Sequence, residues 1–503
     1  MSPNVKVLIA RSVTCSSLLL VSDLLLGGCM VGPTYRKPEV TTPAKWNRLG
    51  ETKTALVGDR PRADLSRWWQ QLNDPLLSEL VEQALRQSLD LLKARARLRQ
   101  SRASVAVADA GRYPSLQASA SARRSGSTAG SAGVAGGNAA ITGNQLTITG
   151  NQFNASFDAS WELDVFGGVR RGVEAAEADQ QSAIANLDDA QVSLIAEVAR
   201  TYVEVRSLQI RLGIARTNLA RQTETVQLTE FRAQAGLVST QDVEQARSNR
   251  EQTQAQLPNL EISLAEAEHS LDILLGQAPG ALHGRLSLTA SLPEASLQVA
   301  VGIPADTLRQ RPDVRAAERK LAAETARVGV AEAARYPSFK LSGSIGLGAL
   351  VRGASGNSLA GTYSLLGGLT APLFDAGRLK AQVDVQDAVR EQALASYRQA
   401  VLTALQEVEN ALVALARNQE RGAALSHAVD AARSAAQLAR QRYGAGLIDF
   451  QSVIDTERTV LSVEDSLASG RADGVLALIR LYKALGGGWS ESTRDLPASK
   501  ETA

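Results

Sequence analysis

The stretch FNASFDASWELDVF, residues 153–166, alternates apolar and polar side chains without interruption. The apolar residues are Phe153, Ala155, Phe157, Ala159, Trp161, Leu163 and Val165, and the polar residues are Asn154, Ser156, Asp158, Ser160, Glu162 and Asp164. Successive side chains of a β-strand point to opposite faces, so this pattern predicts a strand with one apolar and one polar face. The stretches 339–349 and 363–374 show the same alternation more weakly.

The second half of the chain repeats the first. SLDLLKARARLRQSRASVAVADAGRYPSL, residues 88–116, matches RPDVRAAERKLAAETARVGVAEAARYPSF, residues 311–339, and both stretches contain Arg-Tyr-Pro-Ser. FRAQAGLVSTQDV, residues 231–243, matches QRYGAGLIDFQSV, residues 441–453. The offset is smaller in the second pair because the first repeat carries a longer insert, the Gly/Ser/Asn-rich run 126–152. Duplication of this length predicts two copies of one structural unit.

Each repeat has the same predicted order of elements: a helix that ends at Tyr-Pro, two strands, a very long helix, a tight Gly-Leu turn and a second helix. Proline ends the first helix because it disfavours the helical conformation in the residue before it. The long helices are predicted at 168–235 and 377–444, and at 1.5 Å per residue each is roughly 100 Å long. The second helices are predicted at 239–275 and 449–485.

After residue 275, prolines and glycines interrupt the pattern as far as Pro304, and a helix is predicted at 305–335. Within the second long helix, apolar residues recur at a spacing near that of a coiled coil, which predicts side-by-side helix packing. These residues are Leu394, Tyr397, Val401, Leu405, Val408, Leu412 and Leu415.

Predicted strands of roughly 10–13 residues are long enough to cross a bilayer when tilted. A soluble sheet with one wet face is the alternative interpretation. In lipid, four strands per chain would leave open edges, and unpaired backbone groups in hydrocarbon cost several kcal/mol each. Several copies must then share one barrel: two copies give eight strands filled by side chains, and three give twelve strands wide enough for a passage. The polar strand faces would line that passage.

The N-terminus has the features of a bacterial lipoprotein signal. Lys6 and Arg11 supply a positive region, the run 13–26 is apolar apart from polar residues such as Asp23, and Leu26-Gly27-Gly28-Cys29 fits a lipobox. Cys29 would be acylated and would become the first residue, and two or three acyl chains anchor a protein stably. Met30 in place of aspartate favours the outer membrane. An ordinary signal peptide cut near Gly28 is the alternative.

Other classes of function find no support in the sequence. The net charge is +2, which gives no basic field for nucleic acid. The two cysteines have no metal-binding spacing, and His269, His283 and His427 are isolated. GSIGLGALVRG, residues 343–353, lacks the third glycine of a dinucleotide loop and lies in a strand pattern. We therefore predict no catalysis, no metal and no cofactor.

Taken together, these features resemble the outer-membrane factors of tripartite efflux pumps, the TolC-like channels, and in particular their NodT-like lipoprotein branch. The resemblance rests on CMVGPTY with Pro38 after the lipobox, on WWQQLNDPLLSELVEQAL (residues 68–85), on RPDVRAAERKL (residues 311–321) and on the two Gly-Leu turns. It covers the chain from Cys29 to about residue 488.

The resemblance implies a mainly α fold with membrane β-structure: a homotrimer with a 12-stranded β-barrel in the outer membrane, four strands per protomer, continued by a 12-helix α-barrel through the periplasm. It implies an equatorial domain around Pro279 to Pro304 and the chain ends, with Cys29 tethering that region to the inner leaflet. It further implies a duct of a Gram-negative bacterium that passively conducts drugs or other small toxic compounds. The implied partners are a periplasmic adaptor (membrane fusion protein), an RND-type inner-membrane exporter and outer-membrane lipid.

On this basis the chain divides into six parts. They are a signal peptide (1–28), a lipidated extended or equatorial segment (29–75), the first repeat (76–280, with a β-hairpin at 113–166 and a tip turn at 236–239), an equatorial linker (281–304), the second repeat (305–486, with a β-hairpin at 336–374 and a tip turn at 446–449) and a tail (487–503).

The two turns match the hairpin tips with which the family contacts the adaptor. They are Gly236-Leu237-Val238-Ser239 and Gly446-Leu447-Ile448-Asp449. Glycine permits the tight reversal, and an apolar residue left at an exposed tip indicates a partner. Alternatively, Leu237 and Leu447 only pack against neighbouring hairpins.

Four further residues match positions around the closed periplasmic aperture of the family. Asp455 matches the carboxylate that rings the aperture, where three like charges repel and hinder anions. Gln451 takes a position that is apolar in some relatives. Tyr443 and Asp242 match a tyrosine–aspartate contact that helps to hold the tips shut, and Ile448 replaces the arginine that accompanies it in some members. Any of these carboxylates could instead be an ordinary solvated helix residue.

Two alternatives to a small-molecule duct remain at this level. One is the same channel used as the exit of a type I protein-secretion system. The other is a lipid-anchored structural coiled coil without a pore.

Overall fold

The computed structural model describes residues 30–39, 43–47, 65–129, 146–288, 290–293, 304–352 and 356–489. A 3₁₀ helix (Leu65–Leu72) comes first. The α-helices that follow are α1 (Pro75–Gln87), α2 (Leu89–Ala110), α3 (Gly168–Gln234), α4 (Thr240–Leu274), α5 (His283–Leu286), α6 (Pro304–Gln310), α7 (Pro312–Ala333), α8 (Arg378–Gly444) and α9 (Phe450–Ala484). The strands are β1 (Ser115–Ala129), β2 (Leu146–Leu163), β3 (Ser338–Arg352) and β4 (Gly356–Thr370).

The duplication is visible in the lengths of the helices. The long helices α3 and α8 contain 67 residues each, and the helices that follow the turns, α4 and α9, contain 35 residues each. The predicted helices agree with these bounds to within one or two residues. The sequence therefore determined the repeated long-helix, turn, short-helix unit correctly.

The four strands form one antiparallel sheet in the order β1-β2-β3-β4. Phe157 of β2 lies opposite Ala118 of β1 and Ile345 of β3, and Ile345 lies opposite Tyr363 of β4. These residues share one face, which confirms the predicted alternation of an apolar and a polar face. Among the described strands, β1 and β4 each pair on one side only.

The strand bounds differ in part from the prediction. The fourth strand was expected at 363–374, but β4 begins at Gly356 and ends at Thr370. The early start was hidden by glycines, which carry no alternating signal. The early end has a physical cause: Pro372 lacks the N–H that would continue the ladder. The first hairpin extends into the Gly/Ser/Asn-rich insert, of which residues 130–145 lie outside the described residues.

The chain divides into two compact units. The first, called the sheet unit, consists of Met1–Lys37, Gln100–Gln180 and Arg319–Leu394, and it contains all four strands. The second, called the tip unit, consists of Pro38–Arg99, Gln181–Glu318 and Ala395–Ala503, and it contains both Gly-Leu turns.

The tip unit has the larger hydrophobic core. Trp68 is fully buried and stacks on Tyr482 of α9, with ring centroids 5.0 Å apart. The aromatic pair packs with leucines of α1 and with the predicted coiled-coil residues Val408, Leu412 and Leu415, which are buried. The tryptophans of the WWQQLNDP motif are therefore core residues.

The predicted helix 305–335 is split in two at Arg311. Pro312 cannot donate a backbone hydrogen bond within a helix but is well suited to the first position of α7. The buried Arg311 side chain binds both carboxylate oxygens of Asp313, Glu407 (2.7 Å) and the carbonyl oxygen of Ala484 (2.9 Å). The Arg-Pro-Asp motif thus fixes a break and joins it to α8 and α9.

The N-terminal segment is divided between the two units. Residues 30–37 belong to the sheet unit, and Pro38 and the residues after it belong to the tip unit. Val31 N–H donates to the carbonyl oxygen of Phe166, three residues after the end of β2. The equatorial segment from residue 29 to residue 75 stays a prediction. Cys29 and the apolar run before it lie outside the described residues.

None of the helices in the described part of the chain combines the length and the apolar character needed to cross a membrane.

Candidate functional site: the paired helix tips

Both tip turns have the same backbone geometry. Gly236 N–H donates to Ala233 O at 2.9 Å, and Leu237 N–H donates to Arg232 O at 2.8 Å. At the second tip, Gly446 and Leu447 make the equivalent bonds. This pair of bonds is a Schellman motif, in which the residue after the helix is left-handed. Gly236 has φ +70° and Gly446 has φ +74°, which explains why both positions are glycine.

The helices that follow the turns are each capped by a serine and an aspartate, and the two residue types exchange places between the repeats. Ser239 caps α4: its hydroxyl accepts from the Asp242 N–H, and Asp242 accepts from the Ser239 N–H. Asp449 caps α9 and accepts from the N–H of Ser452 at 3.0 Å. Hydrogen bonds from the Ser452 hydroxyl and N–H lower the pKa of Asp449, so its charge is stabilised at the positive end of α9.

The two apolar residues of each tip have opposite environments. Leu237 and Leu447 are 68% and 73% exposed. Val238 and Ile448 pack inward on a cluster shared by both tips. The members of that cluster are Val226, Ala246, Ala439, Tyr443, Phe450, Val453 and Ile454. Within one chain, Leu237 and Leu447 therefore do not pack against the other hairpin, and both remain available to another molecule.

Arg232 joins the two hairpins just above the turns, a role that the sequence did not reveal. Its Nη1 donates to the carbonyl oxygen of Tyr443 at 2.8 Å, and its guanidinium lies over the Tyr443 ring, 4.6 Å from the centroid. The repeat offers a signal that could have found it, because Arg232 and Arg442 both precede their turn glycines by four residues. Arg442 makes no side-chain hydrogen bond or ion pair with any described residue.

Tyr443 and Asp242 are close but are not hydrogen-bonded to each other. Tyr443 is buried, and its hydroxyl is near Thr229 yet outside hydrogen-bond geometry with every described residue. Burial raises the pKa of the Tyr443 hydroxyl, Asp242 raises it further, and Arg232 opposes the increase. Since the Asp242 carboxylate is occupied by the α4 cap, Arg232 provides the direct link to Tyr443 within one chain.

The two predicted aperture residues on α9 lie in one exposed chain of hydrogen bonds. Gln451 Nε2 donates to Asp455 Oδ1 at 2.9 Å, and Gln451 Oε1 accepts from Gln245 Nε2 of α4 at 2.9 Å. Gln245 was missed by the sequence analysis, although it occupies the position in the first repeat that Asp455 occupies in the second. The structure therefore brings Gln451 and Asp455 together and joins them to the other hairpin.

Further from the turns, buried carboxylates cross-link three helices. Glu457 of α9 is 4% exposed and accepts from Arg440 Nε of α8 at 3.0 Å and from the Thr225 hydroxyl of α3 at 3.1 Å. Burial raises the pKa of Glu457, and the attraction of Arg440 only partly offsets this effect. Glu457 was not predicted because its burial depends on helices distant in sequence.

One heptad along α9, Glu464 repeats the arrangement. It accepts from Arg433 Nε of α8 at 2.7 Å and from Asn218 Nδ2 of α3 at 3.2 Å. Glu464 and its two partners are each seven residues from their counterparts in the Glu457 layer, so the spacing is that of a coiled coil. A slip of one helix along the others would leave a buried charge unpaired, so these layers fix the helix register.

The histidines do not create a metal centre in the described part of the chain. His283 Nδ1 lies 2.9 Å from Glu268 Oε2, which raises the pKa of the histidine. Among the described residues, no group of three or more potential ligands could hold a metal ion.

Comparison with known proteins supports a transport role. Residues 80–277 and 303–487 match the model of the family described as outer membrane efflux protein. Nodulation protein T of Rhizobium leguminosarum bv. trifolii is 34% identical over 470 residues, which cover 93% of this chain and 96% of that protein. The pyoverdine export outer membrane protein OpmQ of Pseudomonas putida is 33% identical over 471 residues, covering 94% of this chain and 97% of that protein.

Solved structures agree with the sequence relatives. The outer-membrane channel OprN is 38% identical, with a TM-score of 0.81 and coverage of 92% of this chain and 100% of that chain. The outer membrane channel MtrE of Neisseria gonorrhoeae is 28% identical, with a TM-score of 0.73 and coverage of 92% and 98%. With a repeated fold, two equivalent hairpin tips and relatives along nearly its whole length, the chain belongs to the family of outer membrane efflux proteins, which are transport channels and not enzymes.

Proposed function

We propose that three copies of the chain join their sheets, edge to edge, into one 12-stranded β-barrel in the outer membrane, and that their helices form a 12-helix α-barrel in the periplasm. The observation that carries this proposal is the sheet itself. It has an apolar face, a polar face and two edge strands, and an open edge is too costly in hydrocarbon to persist. Twelve strands are needed for an aqueous passage, since eight are filled by their own side chains.

The two faces of the sheet suit lipid and water respectively. Phe157, Ile345 and Tyr363 form an exposed apolar row in a single chain, which lipid would cover. The opposite face is polar and contains hydroxyl pairs within hydrogen-bond distance: the Ser119 and Ser156 hydroxyls are 2.8 Å apart, and so are those of Ser344 and Ser364. A polar wall of this kind is suited to the conduction of solutes in water.

The duct passively conducts drugs or other small toxic compounds that an inner-membrane exporter of the RND type delivers through a periplasmic adaptor. The pyoverdine export role in the name of OpmQ supports small molecules as the cargo. The exposed Leu237 and Leu447, held on rigid Schellman turns, are the adaptor contacts. Three copies of Asp455 surround the periplasmic aperture, and Tyr443 with Asp242 and Gln451 stabilise its closed state.

Cys29 carries the lipid anchor in this proposal. The lipobox that precedes it supports acylation, and the anchor would lie in the inner leaflet of the outer membrane. Because the barrel itself inserts into the membrane, Cys29→Ala should still give trimers with weaker membrane anchoring. Complete loss of trimers in that variant would contradict the proposal that the barrel inserts without the lipid anchor.

Disulfide cross-linking between edge strands tests the shared barrel. Chains that carry one cysteine on β1 and one on β4, scanned along both strands in a Cys29→Ala background, should give a ladder up to a covalent trimer. The control pair is Phe157→Cys with Ile345→Cys, whose Cα atoms are register partners within one chain. If every β1–β4 pair remains monomeric while the control pair closes internally, the shared barrel is wrong.

A second experiment tests the tips. Leu237→Asp with Leu447→Asp should abolish export of pump substrates while the amount of trimer in the outer membrane stays constant. Leu402→Asp is the matched control, because Leu402 is 59% exposed on α8 but lies far from the turn in sequence. Export of proteins rather than small compounds in a secretome comparison would favour the secretion alternative.

A further inference from the structure

The residues that directly follow Cys29 are held by a buried arginine. Arg171 in the first turns of α3 is 1% exposed. Its Nε donates to Val31 O at 3.1 Å, and its Nη2 donates to Gly32 O at 3.2 Å and to Thr34 Oγ1 at 3.3 Å. The remaining nitrogen, Nη1, binds Glu174 at 2.7 Å. Three of the four partners of this buried cation therefore belong to one irregular segment.

Glycines allow this segment to lie directly on the sheet unit. Gly32 has φ +85°, and a Cβ on it would overlap the Cα of Gly329 in α7. Gly167 has φ +78°, and a Cβ there would overlap Met30. Val31 N–H also donates to Phe166 O at 3.2 Å. Both close approaches require the absence of a side chain, so the fit is specific.

The far end of the segment is fixed by Tyr35. Its ring packs on the buried alanines Ala178, Ala322 and Ala323, and the guanidinium of Arg319 lies 5.7 Å from the ring centroid. The residues from Met30 to Tyr35, called the strap, are thus held at both ends and in the middle.

The strap brings its first residue to the junction of β2 and α3. Met30 lies against Gly167, between the end of β2 at Leu163 and the start of α3 at Gly168. The apolar face of the sheet reaches the same end, where Leu163 is paired with Phe339 and Phe339 with Leu369. Met30, which directly follows Cys29 in the sequence, therefore lies beside the end of the apolar face that is next to α3, and this end is called the rim.

We propose that the strap, with Arg171 as its positioning residue, holds Met30 at the rim and so couples the lipid anchor on the preceding residue in the sequence to the depth of the sheet in the outer membrane. This inference rests on the lipid anchor of the proposed function and adds its mechanical role. An undocked segment of six residues would let the acyl chains wander by roughly 20 Å relative to the sheet. Docking removes this freedom of movement, so the acyl chains in the inner leaflet and the rim stay at the same depth in the membrane.

The test uses the purified full-length protein in phospholipid nanodiscs, with intact mass analysis of its N-terminus. Hydrogen exchange of the peptide 30–37 measures docking. Quenching of Trp161, the one tryptophan of the sheet unit, by lipids that carry doxyl groups at graded depths measures the position of the sheet. The variants are Arg171→Ala, Gly32→Ala and Arg171→Lys. The control is Arg390→Ala, because Arg390 of α8 pairs with Asp387 on the same helix.

Arg171→Ala and Gly32→Ala should each accelerate exchange of the strap by at least about tenfold and move or broaden the Trp161 quenching profile. Arg171→Lys should restore part of the exchange protection and part of the quenching profile, and Arg390→Ala should change neither. An acylated protein whose strap exchanges as fast as a free peptide, or whose Trp161 profile ignores Arg171→Ala, overturns the inference alone. A protected strap on an unacylated N-terminus overturns the lipid anchor and the depth role together.

Discussion

Arg232→Ala should loosen the paired tips more than any other single change to an exposed or half-exposed side chain near the turns. The wild-type guanidinium contacts the other hairpin twice, through the carbonyl oxygen of Tyr443 and through the face of its ring. Alanine removes both contacts and leaves the Schellman turn intact, since the turn uses only the backbone carbonyl of residue 232. The variant therefore tests the contact between the hairpins without changing the backbone of the turn.

The size of the effect follows from the two contacts. A hydrogen bond from a charged donor contributes about 1.5–3 kcal/mol, and partial exposure of Arg232 favours the lower end. A cation–π contact at an exposed site adds about 0.5–1 kcal/mol. The sum is about 2 kcal/mol, which changes an equilibrium constant by about 30-fold. If the separated state of the tips has a population of about 1%, the variant raises it to about a quarter.

Single-channel recording in planar bilayers measures this population as the fraction of time in the high-conductance state. Arg442→Ala is the matched control, because it removes the equivalent arginine of the second repeat, which makes no side-chain hydrogen bond or ion pair within the described chain. Arg232→Lys, which keeps the charge without the planar fork, should be intermediate. If Arg232→Ala spends the same fraction of time open as wild type and Arg442→Ala, Arg232 does not hold the two hairpins together.

Three further changes test other parts of the structure. Burial raises the pKa of Glu457 above its ordinary 4.5, so the wild-type protein loses stability as the pH rises through the raised value and this residue becomes charged. The melting temperature of Glu457→Gln should therefore exceed that of wild type by more at pH 8 than at pH 5. An equal or smaller difference at pH 8 would contradict this. Asp272 is fully buried and accepts hydrogen bonds from two loop amides at 2.7 and 3.0 Å. Asp272→Ala should therefore lower the free energy of unfolding, measured by chemical denaturation, by about 2–4 kcal/mol. Asp90→Ala, at an exposed site, is the control and should lower it by under about 0.5 kcal/mol. Asp455→Asn should weaken the cation preference of the current in asymmetric salt, and an unchanged reversal potential would remove Asp455 from the aperture.

The sequence was sufficient for features whose cause is local. Strand alternation from Phe153 onward, the turn glycines Gly236 and Gly446, and the repeated helix lengths each depend on residues within a few positions of one another. Local steric rules fix φ at a turn and the face of a strand, so the pattern alone predicts them. The same reasoning located the exposed leucines, because an apolar residue at the end of a Schellman turn has few neighbours within its own hairpin.

Features whose cause is distant in sequence were missed. Arg232 and Tyr443 are 211 residues apart, and only the packing of two hairpins brings them into contact. The docking of the strap was not predicted, because its turn-rich composition carries no information about its partner. Arg171, 140 residues from Val31, reads as an ordinary exposed helix residue until its burial is known. Residue types indicate which contacts a side chain can make, whereas packing between segments distant in sequence decides which partner it meets.

The two repeats show how a duplicated fold can carry different charges at equivalent positions. Their backbones are equivalent, and even the helix caps keep one serine and one aspartate, although the order is reversed between Ser239 with Asp242 and Asp449 with Ser452. The position of Asp455, by contrast, is Gln245 in the first repeat, and the two side chains are joined through Gln451. A trimer of this chain would therefore carry three carboxylates at this level and not six. Each would be flanked by amides that can donate to it, so like charges are spaced by neutral groups and the closed tips avoid the repulsion that six acids would create.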